Sequence, residues 1–159
     1  MNKIIKINKM EVERNINIST SLLNMPPSIA LNKLYLNIPF HGDNDASKII
    51  HNKLSSYMMQ DKKKQRYDAE KKIVYEQLIE KMVASKMKCN YCRHNVLLFY
   101  TTKREPLQWT LDRLDNNKGH YTDNVVIACL GCNLSRRRMQ SDKFKATKQM
   151  VIIKKDDTR

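Results

Sequence analysis

The stretch WTLDRLDNNKGHYTDNVVIACLGCN, residues 109–133, decides how this chain is read. REPLQWTLD, residues 104–112, runs into it as a segment rich in β-formers, and VVIACLGC, residues 125–132, follows as a second apolar run. β-branched and aromatic residues suit a pleated, half-buried strand. Between them, LDNNKGHYTDN reads as a loop, because Asp and Asn bond their own backbone and Gly tolerates positive φ. From Asn133, NLSRRRMQSDKFKATKQM has the composition of a helix built from strong formers. The expected order is strand, loop, strand, helix.

The cysteines frame this unit. Cys129 and Cys132 close the second strand, Cys89 and Cys92 form an earlier Cys-x-x-Cys, and the chain has 4 Cys in all. Two such pairs a few tens of residues apart read as a tetrahedral thiolate site, since each knuckle aims two sulfurs at one ion. Zinc is the expected metal, and four protein ligands leave it no open position, which makes it a structural staple. A disulfide framework needs an oxidising compartment, and a redox pair needs only one Cys-x-x-Cys. His94, two residues past the first knuckle, competes with a tetrahedron that is already full. After that knuckle, NVLLFY is suited to a strand.

Upstream the text is less regular. Residues 1–43 are Asn-rich, with a Pro26-Pro27 step before SIALNKLYL that reads as the start of a short helix carrying Ile29, Leu31 and Leu34, and are expected to form an arm of low order. HGDND, residues 41–45, is a turn, after which Ile50, Leu54, Tyr57 and Met58 recur at helical spacing. The run QDKKKQRYD either interrupts or extends that helix; its Lys62, Lys63 and Lys64 are a solvated face or a grip on phosphates. A second helical stripe of Val74, Leu78 and Met82, with Tyr75, Ile79 and Val83 beside it, follows from Asp68. The expected division is an arm over 1–43, a helical extension over 44–88, a zinc-containing domain over 89–152 and a tail over 153–159.

Charge narrows the partners. A formal net charge of +14 on 159 residues points to a polyanion, because each phosphate neutralised by Lys or Arg releases condensed counterions. Nucleic acid leads over an anionic membrane surface. No apolar run approaches the roughly 18 residues that span a bilayer. MNKIIKINKMEVERN offers no signal-peptide pattern, so an intracellular location is expected.

The Asp112-x-x-Asp115 at a strand end, Asn124 opening the next strand, and Cys-x-x-Cys-Asn opening a helix, after an earlier Cys-x-x-Cys, resemble the HNH or ββα-metal nuclease family. The wording is similar to HNH-type proteins common in large DNA viruses and to phage recombination endonuclease VII; for a viral protein the location implied is host cytoplasm or nucleus. The resemblance is tight over 89–138 and looser over 54–150. It implies an α+β fold, a zinc-stapled ββα-metal core with an N-terminal helical extension. It implies hydrolysis of phosphodiester bonds in DNA, leaving a 5′-phosphate, with Mg²⁺ or Mn²⁺ held by Asp112 and Asn133. Asn124 would tie the loop and orient the base. RNA or branched DNA are further substrates, a homodimer is a further partner, and no membrane is implied.

One position departs from the family. Where most members carry the histidine base, this chain has Arg113, which cannot take a proton at neutral pH but can hold a phosphate bidentately. His120 is then the best remaining base, with Tyr121 weaker, although a lone loop histidine is commonly idle. Arg136 and Arg137, three and four residues past Asn133, are expected on the helix face against phosphates. Trp109 and Phe99 read as hairpin core, His41 and His51 as structural. The rival reading is a non-catalytic, zinc-stabilised DNA- or RNA-binding module that has lost the usual base.

Overall fold

The structure is a computed structural model that describes residues 16–152, so the tail over 153–159 and the first 15 residues of the expected arm lie outside it. The described residues form a mixed α+β fold of six helices and one two-stranded antiparallel sheet. In chain order these are α1 (Thr20–Leu23), α2 (Pro27–Tyr35), α3 (Asp43–Lys63), α4 (Tyr75–Ala84), β1 (Trp109–Arg113), β2 (Val125–Cys129), α5 (Leu130–Arg136) and α6 (Ser141–Gln149). No described helix is long and apolar enough to cross a membrane.

Residues 16–43 are ordered helix and turn packed into the common core, not a low-order arm. Pro27 opens α2 at a position where its missing N–H costs nothing, and Ala30 and Leu31 are fully buried. Leu22 of α1 packs against the turn at Gly42, where φ is +91° and an added Cβ would lie 3.0 Å from the Leu22 Cγ. The Asn-rich text of this segment hides a short apolar stripe whose partner is distant in sequence: α2 packs on α4.

α3 extends through the lysine run. Asp43 and Asp45 sit in its first turn and Lys62 and Lys63 in its last, each matched to the helix dipole. Its buried stripe is Ala46, Ile50, Tyr57 and Asp61. Two side chains fasten it to the sheet. The Leu111 N–H donates to the Tyr57 hydroxyl at 3.0 Å, and Lys53 Nζ donates to Gln108 Oε1 at 2.9 Å and to the Trp109 carbonyl, 4.3 Å from the Trp109 ring centroid. α4 begins only at Tyr75, because residues 68–74 are taken up by a turn on the Asp68 carboxylate and by the Ile73 N–H bonding the His120 carbonyl at 3.0 Å.

β1 and β2 pair as expected for the hairpin, with Trp109 opposite Cys129, Leu111 opposite Ile127 and Arg113 opposite Val125. The segment after the first knuckle is not a strand. Val96 bonds back to Met87 while Leu97 pairs with Leu107 and Trp109, so successive residues serve different partners and no continuous ladder forms. The helix expected from Asn133 is two helices. α5 starts at Leu130 because the first free N–H groups find acceptors in Gln108 O, Pro106 O and Cys129 Sγ. It stops at Arg136, since Arg137 takes φ +50°, and α6 resumes at Ser141.

Trp109, Leu111, Val125 and Ile127 share one buried cluster with Leu78, Ile79 and Met82 of α4 and with Leu31 of α2. Leu31→Ala should therefore cost about 2–5 kcal/mol by urea denaturation, the range for truncating a packed leucine. A loss within about 0.5 kcal/mol, normal for a surface change, would mean that α2 is not part of the core.

Candidate functional site

Two clusters meet at the β2–α5 junction. The first is the cysteine cluster. Cys89 and Cys92 lie on the knuckle, Cys129 ends β2 and Cys132 sits in the first turn of α5; the four sulfurs lie within 4.8 Å of one another. Cys92 and Cys129 Sγ are 3.9 Å apart, close to the roughly 3.8 Å edge of a tetrahedron with 2.3 Å zinc–sulfur bonds. Hydrogen bonding from Cys129, with backbone N–H groups of Cys129, Cys92 and Tyr91, lowers the Cys89 thiol below its ordinary value, the direction that favours a thiolate. The donor set is all soft sulfur and fits a structural metal ion such as zinc. His94 is exposed and outside the cluster.

The second is an open cleft of about 940 Å³. Asp112, Arg113, His120 and Asn133 line it together, with Lys64, Arg66, Arg137 and Arg138 around them. Its walls are strongly cationic. Of the lysine run only Lys64 lines the cleft; Lys62 stands over the Tyr67 ring at 4.9 Å, and Lys63 is exposed on the last turn of α3.

Asp112 is held tightly. Arg136 Nε donates to Oδ2 at 2.6 Å and Nη2 to Oδ1 at 2.9 Å, while the Tyr91 hydroxyl donates to Oδ2 at 2.5 Å. Arg136 is 2% exposed, so it is not on the solvent face against phosphates as its spacing suggested. The reason is the helix break: the turn at Arg137 lets the Arg136 guanidinium bond Met139 O, Arg113 O, Asn116 Oδ1 and Asp112 at once. Arg137 and Arg138 remain exposed on the rim.

Asn133 Nδ2 donates to Thr110 Oγ1 at 3.1 Å and toward Leu111 O at 3.4 Å, which leaves Oδ1 free of bonds within the described residues. A carboxylate has about four lone-pair positions. Three on Asp112 are filled, which leaves one on Oδ1, and Asn133 lines the same cleft. These are hard oxygen donors of the class Mg²⁺ and Mn²⁺ take. They are few, and Arg136 already balances the Asp112 charge.

The loop is pinned from several sides. Asn124 accepts from Asp115 N at 2.9 Å and donates to Asp115 O and Gly119 O, both at 3.0 Å. Arg113 Nη1 donates to Lys118 O at 3.2 Å. Tyr121 donates its hydroxyl to Arg66 O at 2.6 Å and does not line the cleft, so its proton is engaged elsewhere. His120 is buried. Its N–H donates to Asp61 Oδ2 at 2.7 Å and its Nδ1 lies 2.8 Å from Asp61 Oδ1. Burial holds the imidazole below its ordinary value despite the Asp61 charge, so it is neutral at pH 7.

Asp61 was not a candidate from sequence, where it looks like one acid among solvated lysines. A signal was present: it continues the Ile50, Leu54, Tyr57 stripe at the next helical step, and a carboxylate on an apolar stripe needs a buried partner. His41 is exposed, and His51 stacks on Tyr75 with centroids 4.3 Å apart.

Purified protein should carry one zinc per chain, and Cys129→Ser or chelation should unfold the hairpin region, because binding energy at such a site is largely folding energy. Metal-free protein of equal thermal stability would refute this. Arg136→Ala should cost about 3–5 kcal/mol in urea titration, since it strands a buried carboxylate. Arg137→Ala and Arg138→Ala should leave stability within about 0.5 kcal/mol but weaken binding to any DNA sequence, each flattening the salt slope by about one.

Comparison of this chain with protein-family models, with curated proteins and with solved structures finds no match.

Proposed function

We propose that this protein is a metal-dependent HNH-type endonuclease that hydrolyses phosphodiester bonds in DNA. The observation that carries the reading is the cationic cleft on whose wall Asp112, Arg113, His120 and Asn133 converge. Lys64, Arg66, Arg137 and Arg138 suit the phosphate backbone on either side of a scissile bond. Arg113 can hold the reacting phosphate through a bidentate guanidinium and offset charge that develops on it. His120, neutral at pH 7, takes the proton of the attacking water; the water oxygen bonds to phosphorus as the bond to the 3′-oxygen breaks, the 3′-oxygen takes a proton from solvent, and a 5′-phosphate is left. Asp112 and Asn133 would hold Mg²⁺ or Mn²⁺, which supplies Lewis-acid stabilisation of phosphate charge when bound. The β1, β2 and α5 segments would be the ββα-metal core, with the zinc staple at its base.

The Asp112–Arg136 ion pair favours the second reading, a zinc-stabilised nucleic-acid-binding module without catalysis, because the one acidic group at the presumed metal position is already neutralised. A supercoiled-plasmid assay separates the two. The endonuclease should nick with Mg²⁺ or Mn²⁺ and not with EDTA, and Asp112→Asn should lower the rate by at least about 100-fold while DNA binding survives. The rate should rise with pH through a midpoint below the ordinary imidazole value of about 6.5, since the depressed histidine loses its lone pair only as pH falls. No metal-dependent cleavage of DNA or RNA by the wild type would leave the binding module, and normal cleavage by Asp112→Asn would remove Asp112 from the metal site.

A further inference from the structure

Resting on the nuclease reading, we infer that Asp61 of α3 is the positioning residue that fixes the tautomer and orientation of His120. Asp61 lies outside the segment that resembles the nuclease core most tightly, and is 3% exposed although its neighbours in sequence are lysines. Its carboxylate meets His120 twice, Oδ2 accepting from the backbone N–H and Oδ1 facing Nδ1. An ionised carboxylate only accepts, so Nδ1 must carry the proton and Nε2 must carry the lone pair. Nε2 takes no hydrogen bond within the described residues, and His120 lines the cleft. That is the arrangement a general base needs.

The surrounding backbone enforces the contact. A Cβ on Gly119 would lie 2.4 Å from Arg66 O and 3.0 Å from Asp61 Oδ2, so only glycine lets the loop approach α3 this closely. The His120 carbonyl is tied to Ile73 N at 3.0 Å, and the Tyr57 ring packs on the imidazole with centroids 4.6 Å apart. The charged and titratable groups around the ring are Asp61 and Tyr57 from α3, Asp112 and Arg113 from β1, Arg66 after α3 and Lys72 before α4. Among them only Asp61 touches a ring nitrogen.

Asp61→Asn isolates the role without emptying the site. The backbone N–H of His120 can only donate, so it retains the amide oxygen; the amide nitrogen then faces Nδ1 and donates to it. The ring is driven to the Nε2–H tautomer, with the proton where the lone pair is required. Nitrogen-15 NMR of the zinc-loaded protein reads this directly, His120 being assigned by the signal that His120→Ala lacks. Wild type should show Nδ1–H and Asp61→Asn should show Nε2–H. DNA affinity should stay within about twofold, since no phosphate contact changes. Single-turnover cleavage should fall by roughly 100- to 10,000-fold, the scale for a base left in the wrong tautomer. Asp61→Glu, which keeps two acceptors, should recover part of the rate.

An unchanged tautomer in Asp61→Asn overturns the inference. So does a normal cleavage rate in Asp61→Asn when His120→Ala is inactive. Full activity in His120→Ala removes the base and this inference together, and absence of cleavage by wild type overturns the nuclease reading itself; each of these shows in a protein other than Asp61→Asn.

Discussion

Four sulfurs within 4.8 Å of one another set the geometry of everything that follows α4. Two come from the knuckle and two from the junction where β2 becomes α5, so the convergence fixes where the helix leaves the sheet. Cys129 serves twice, as one corner of the cluster and as the acceptor that caps α5 through the Cys132 N–H at 3.3 Å. Because that exit is fixed, Asn133 is laid against Thr110 and Arg136 against Asp112, while Tyr57 and Lys53 of α3 bond the β1 backbone at Leu111 and Trp109. The cleft is the gap left between these two packings.

The Asp112–Arg136 pair shows how such a site manages buried charge. Removing both ions from water is expensive, and a bidentate fork with further acceptors for the guanidinium is the geometry that offsets it. Here the fork is complete: Tyr91 adds a third donor to the carboxylate, and Tyr91 is itself 3.1 Å from the Ser141 hydroxyl at the start of α6. The pair thereby links β1, α5, the knuckle and α6. A residue that resemblance assigns to chemistry is also a structural hub.

What could be read from sequence was what depends on neighbours. The β1–β2 hairpin follows from two runs of β-formers and the turn chemistry between them within 25 residues, and the cysteine cluster from the cysteine spacing alone. What could not be read depends on contacts across the chain. The short helix from Pro27 was legible in its apolar spacing, but the order of the segment was not, because it rests on Leu22, Ala30 and Leu31 finding a distant core. NVLLFY looks like a strand yet has no single partner to pair with. Arg136 points inward only because Arg137 takes a left-handed φ, which no local propensity of Arg-Arg-Arg foretells. His120 and Arg113 stood out by type; the carboxylate that faces His120 did not.

The contacts of α3 share one property. Lys53 with Trp109, Tyr57 with Leu111 and Asp61 with His120 are separated by 56, 54 and 59 residues, whereas Asp112 and Arg136 are 24 apart. Closing a longer loop costs more chain entropy before any contact rewards it, so the hairpin, α5 and the thiolate knuckles can assemble ahead of α3 docking. A chain caught at that stage already carries Arg113, Arg137 and Arg138 of its cationic rim but has an imidazole free to take either tautomer. On the proposed chemistry, such an intermediate would hold nucleic acid without cutting it, and hydrolysis would switch on only when the last long-range contact closes.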